Sequence, residues 1–193
     1  MKQMRADLHK IVQSIGYLAN MADNGQIAKV PCLKLLYLAD RYHLRKYGRT
    51  ITNDTYYAME KGPVPSCAKI AFDHHQSLNS DELAYLNGSL RIKADRKGEE
   101  QARPVHGVDM RALSKTDVEA LDAAWKVYET HRTDLVEYTH TFPEWERHKG
   151  ELTTEHRTRV RMSLDDFFLD APKEYCTAEP ELVRLNRECF YGN

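Results

Sequence analysis

Residues 31–66 read PCLKLLYLADRYHLRKYG, then RTITNDTYYAMEK, then GPVPS, and this stretch decides the fold. Its first part predicts a helix, with Pro31 suited to the first turn and Gly48 to the residue just past the end. Wound at about 100° per residue, Lys34, Arg41 and Arg45 share one thin basic stripe within roughly 40°. Leu33, Leu36, Tyr37, Leu44 and Tyr47 fill one arc, and Leu35, Leu38, Ala39 and Tyr42 fill another. A surface helix carries one apolar face, so a helix with nearly two belongs in the middle of a domain. From Arg49 to Lys61 the pattern turns β-favouring (Ile51, Thr52, Thr55, Tyr56, Tyr57), with a turn signal at Asn53-Asp54. This predicts a short strand or extended arm leading into Gly62-Pro63-Val64-Pro65, a corner whose prolines impose extended geometry on Gly62 and Val64.

Upstream, Leu8, Ile11, Val12, Ile15, Leu18, Ala19 and Ala22 recur at helical spacing, which predicts an amphipathic helix over about Arg5–Ala22 ended by Asn24-Gly25. Downstream, a helix is expected from near Pro65 towards Ser77. A strand is expected around Leu90–Ala94, with a returning strand over Ala102–Val108 that Pro104 would confine to an edge. Ser114 with Asp117 marks the start of a helix whose inner face is Val118, Leu121, Trp125 and Tyr128. A shorter helix follows over Asp134–His140. Beyond Trp145, residues 146–161 read as a charged loop or solvated helix, and Ser163–Leu169 as a short capped docking helix. The last helix, Pro180–Tyr191, spaces Leu182, Leu185 and Cys189 along one face, either packed on the domain or left for a partner.

The 193 residues fit one domain with a real core. Net charge is −1, so composition gives no reason to expect nucleic-acid binding. No apolar run approaches the roughly 20 residues that span a bilayer. The charged N-terminus lacks a signal-peptide core, and Cys32, Cys67, Cys176 and Cys189 show no CxxC spacing, which suits a reducing cytoplasm.

Candidate chemistry is sparse. His74 and His75 are helix neighbours that point apart. Asp40 and His43 sit on adjacent turns and could form a metal half-site or an acid/base pair; a buried polar pair satisfied by tyrosine hydroxyls is the preferred reading. No nucleophile elbow or phosphate-binding glycine loop is present. The Lys34/Arg41/Arg45 stripe, with Arg49 beyond it, could bind an acidic partner, although a solvated edge is the plainer reading. Arg157, Arg159 and Arg161 have period two and read as an extended basic segment with no interleaved aromatics, a solvated loop rather than an RNA contact. Tyr56, Tyr57, Met59 and the proline corner form a compact amphipathic cluster, equally consistent with an interface or with a cover for the core helix.

These residues resemble the hallmark of the SocA-like antitoxin family, the Panacea domain. The shared parts are Lys34–Ala39, Gly48-Arg49, Ile51-Thr52, Asp54, Tyr56, Ala58-Met59 and Gly62–Ser66, and the likeness runs in order from about Lys2 to Trp145. One departure is Asn53, where a glycine is common; asparagine also tolerates a left-handed backbone. The resemblance implies an antitoxin of a bacterial or prophage toxin–antitoxin pair, without catalysis or a cofactor. It would neutralise a protein toxin, small alarmone-synthetase-like toxins included, by direct contact.

The expected architecture is a mainly α domain with a small β arm (α+β), a single-domain helical bundle around a central buried helix. Residues 1–145 form it, and residues 146–193 pack on it or contribute to partner binding. The expected contact residues are Tyr56, Tyr57, Met59, Gly62, Pro63, Val64 and Pro65, with Arg41, Arg45 and Arg49 steering an acidic partner. Alternative readings are an adaptor delivering a toxin to a cytoplasmic protease, a metal enzyme using Asp40 and His43, and a DNA-binding autoregulator.

Overall fold

The central helix, α2 (Lys29–Tyr47), is buried at 13 of its 19 residues. It ends as its sequence predicts: Gly48 takes the left-handed conformation at φ 71° and donates its N–H to Leu44 O. The computed structural model describes residues 6–73, 77–172 and 178–191; His74, His75 and Cys176 lie outside them. The fold is a mainly helical α+β domain. Helix α1 (Leu8–Met21) starts at Asp7, whose side chain accepts from Lys10 N, and buries Ile11, Val12, Ile15 and Leu18. Strand β1 (Ile27–Ala28) then leads into α2.

The arm is a hairpin of β2 (Tyr56–Met59) and β3 (Gly62–Pro65), in register from Tyr56↔Pro65 to Met59↔Gly62. Its tight turn takes a left-handed step at Gly62, φ 92°. Asn53 also has positive φ, 51°, so the asparagine makes the same backbone turn as a glycine would. Helix α3 (Ser66–Asp73) follows directly.

After α4 (Ser80–Ser89), β4 (Leu90–Ala94) and β5 (Glu100–Pro104) form a second hairpin, giving the sheet order β1-β5-β4. The predicted edge position of β5 is therefore corrected: it is the central strand. Proline is tolerated because Pro104 is its last residue, paired to Leu90, while β1 reaches only Ala102 and Gln101.

Helix α5 (Lys115–Thr130) begins with the predicted cap, Ser114 and Asp117 bonding each other's backbone. It packs along α2. Helices α6 (Leu135–His140) and α7 (Pro143–Glu146) carry Tyr138, Phe142 and Trp145 onto the core.

The charged stretch beyond is one turn of helix, α8 (Lys149–Thr153), and then a strand, β6 (Val160–Arg161), which pairs antiparallel with β2. A 3-10 turn over Leu164–Phe168 buries both phenylalanines. Helix α9 (Pro180–Tyr191) lies on α2; Asn186 Nδ2 donates to Arg45 O at 2.9 Å, Val183 is buried, and Phe190 packs on Phe168. Leu182 and Leu185 are exposed.

Candidate partner-binding arm

Asp40, wholly buried on α2, suspends the arm. Its Oδ1 accepts from the N–H of Ile51 at 2.6 Å and of Thr52 at 3.2 Å, and its Oδ2 accepts from the hydroxyls of Thr52 and Tyr56. Asp54 does the same for the far end: it accepts from Thr55 N, Cys67 N and Ala68 N, capping α3. Burial pushes the Asp54 carboxyl up to about 6 against those bonds.

The hairpin turn is seated on α6, α7 and α2. Trp145 Nε1 donates to Met59 O at 2.9 Å, and His140 stacks on Trp145 at 3.7 Å between centroids. A Cβ on Gly62 would lie 2.8 Å from Thr139 Oγ1 and 2.9 Å from Lys34 Nζ, so the close approach as well as the positive φ requires glycine there.

Lys34 is 1% exposed and donates to Pro63 O at 2.7 Å. Among the described residues no carboxylate pairs with it, and burial pulls its ammonium down to about 7. Between about pH 7 and the ordinary lysine value the unfolded chain binds the extra proton, so stability rises with pH across that window. Lys34→Met should therefore gain most over the parent at or below pH 7, by several degrees in Tm, with the gain shrinking towards pH 10. Melting curves across that range check it.

The basic stripe is not solvated, which corrects the edge reading and the steering role given to Arg41 and Arg45. Arg41 and Arg45 are 1% and 2% exposed. Arg41 Nε donates to Glu144 Oε1 at 2.7 Å, an oxygen that also accepts from Tyr37 OH, and the guanidinium lies over the Phe142 ring. The guanidinium also donates to Leu169 O. Arg45 donates to Phe168 O at 2.6 Å, Leu169 O at 3.0 Å and Asp170. Both arginines thus clamp the C-terminal segment by its carbonyls. Arg49 is half-exposed and pairs with Asp117 at 2.9 Å.

The Asp40–His43 pairing also dissolves. His43 bonds Arg49 O and Thr116 Oγ1 and lies 3.3 Å from Asp117, whereas Asp40 faces the arm. The tyrosine hydroxyl expected at Asp40 is that of Tyr56. Among the described residues no three His, Cys, Asp or Glu side chains are placed to hold a metal ion. Asp117 also receives Lys10. Burial works against its charge, yet these donors hold its carboxyl well below the usual range.

Of the expected contact residues, Tyr56, Gly62, Pro63, Val64 and Pro65 are buried, while Tyr57 and Met59 are half-buried. Strand alternation accounts for the tyrosines: Tyr56 points into the core against Tyr37 and Phe167, and Tyr57 points the other way. The outward face gains a third strand that the sequence did not assign. Arg161 of β6 stands opposite Tyr57, and the Arg159 guanidinium lies 5.1 Å from the centre of the Tyr57 ring. The basic run therefore does meet an aromatic, supplied by a strand a hundred residues upstream; its period of two was the visible signal. Glu144, in a Pro-Glu-Trp-Glu stretch, had no signal beyond its place in a first helical turn.

The arrangement defines a class: an α+β domain whose buried central helix holds a β arm by polar bonds and presents the arm's other face. The chain belongs to the family described as antitoxin SocA-like, Panacea domain, whose family model matches residues 33–146. That span holds α2 from Leu33 onward, the arm's β2–β3 hairpin and Glu144. No curated protein and no solved structure matches the chain. Among the described residues no helix is long and apolar enough to cross a membrane.

Proposed function

We propose that this chain neutralises a cognate protein toxin in the cytoplasm by direct contact, masking the toxin's active site with the outward face of the arm. The antitoxin family supplies the role. The observation that carries the mechanism is the division of the arm into two faces. One is fixed to α2 through Asp40 and Lys34, and the other offers Tyr57 and Met59 beside Arg159 and Arg161. A hairpin held this way loses little entropy on docking, and tyrosine, methionine and arginine are the side chains that dominate interface cores. Tyr56 and the Gly62–Pro65 corner then shape the contact from behind.

Co-expression with the adjacent open reading frame tests the role. A neighbour that is harmless alone, or still toxic beside this chain, would overturn it. Tyr57→Ala tests the mechanism: the fold should stay within a few degrees in Tm, and affinity for the toxin should fall about tenfold or more. Wild-type affinity in that variant would move the contact off the arm. Delivery to a protease needs a second surface, for which the exposed Leu182–Leu185 ridge of α9 is available. A shortened toxin half-life in cells would favour that reading over masking.

A further inference from the structure

The arm's sheet has the order β3-β2-β6, which leaves β6 at its edge. Met162 N–H donates to Tyr56 O at 2.9 Å, and the register pairs Tyr57 with Arg161 and Ala58 with Val160. In an antiparallel ladder alternate residues turn their N–H and C=O to the same side. Val160 and Met162 therefore bond towards β2, and Arg159 and Arg161 turn their backbone groups outward. Among the described residues no backbone hydrogen bond takes up those outward groups.

The side chains at the same two positions are exposed, stand on the Tyr57 face and have no carboxylate partner among the described residues. By contrast, Arg157, two residues earlier, is paired with Glu151 and Glu155. An open edge is a template for another strand. Two copies of this edge would set arginine against arginine, so a second copy of the chain is disfavoured.

We infer that the β6 edge takes an acidic, extended segment of the partner as a fourth strand, its backbone bonded to Arg159 and Arg161 and its alternate carboxylates on the two guanidinia. Residues two apart on a strand are spaced by roughly 7 Å on one face, the spacing that the two arginines share. The inference rests on the arm being the partner-binding surface and names the chemistry that it would recognise.

The test uses the full chain and a short labelled peptide with Glu at alternate positions and Val or Thr between, followed by fluorescence anisotropy. The peptide should bind, and Arg159→Glu with Arg161→Glu should weaken it about tenfold or more. Both positions are exposed, so Tm should hold; Arg159→Gln with Arg161→Gln serves if the reversal does not fold. N-methylation of the peptide amides that face the edge should remove binding, and methylation of the alternate set should spare it.

Equal binding of a peptide with the same composition but clustered acids overturns the proposal, as does indifference to methylation. Tighter binding of polyuridylate would make the edge an RNA contact instead. Toxin neutralisation by the same variants separates the two ideas. Neutralisation that survives loss of peptide binding overturns the edge as the toxin's contact and leaves the antitoxin role standing. Peptide binding without any toxin to neutralise does the reverse.

Discussion

Asp40→Ala is expected to lower stability by about 3–5 kcal/mol and to loosen the arm before the rest of the molecule. The carboxylate takes bonds from two backbone N–H groups and two hydroxyls, all buried. The hydroxyls can rotate to other acceptors, but the N–H groups of Ile51 and Thr52 cannot, and each unsatisfied buried donor costs about 1–3 kcal/mol. Asp40→Asn keeps an oxygen for those N–H groups and offers an amide that the hydroxyls can accept, so its loss should be only about 1–2 kcal/mol. Urea denaturation measures the totals. Hydrogen exchange locates them: the Ile51 and Thr52 amides should be the first to lose protection in the alanine variant. Equal losses in both variants would mean that an amide oxygen does not replace the carboxylate, and that its charge rather than its acceptor oxygens holds the arm.

Glu144→Ala should cost a similar amount, about 3–5 kcal/mol, because it removes the buried carboxylate that Arg41 Nε bonds at 2.7 Å. The same step removes the Glu144 oxygen that accepts from the Tyr37 hydroxyl. The informative comparison is the double replacement Arg41→Met with Glu144→Leu. Removing both members of the buried pair together should recover much of the single variant's loss. Chemical denaturation of Arg41→Met, Glu144→Leu and their combination closes the cycle, and simple additivity would overturn the coupling.

The central helix and the arm were legible because each is written in local periodicity. Two apolar arcs demanded burial, and Tyr56-Tyr57 followed by a proline corner demanded extended backbone. What periodicity cannot report is whether a polar stripe faces water or a long-range partner. Lys34, Arg41 and Arg45 occupy a sector too narrow to form a solvent face, and that narrowness was the overlooked sign. Their acceptors, Pro63 O, Glu144 and the carbonyls of residues 168 and 169, lie up to 128 residues away. Asp40 and His43 misled for the same reason: neighbours on one helix, they serve different elements. Strand β6 escaped because two paired residues in a charged stretch carry no hydrophobic alternation.

The family's shared span stops at residue 146, yet the two arginines of α2 close on carbonyls supplied by the tail, and the same tail contributes the arm's outer strand. One segment therefore both shields the interior charges and forms the outer edge of the arm's sheet. A graft of a foreign tail would have to solve both problems together: new specificity could arise only in a sequence that also re-covers Arg41 and Arg45.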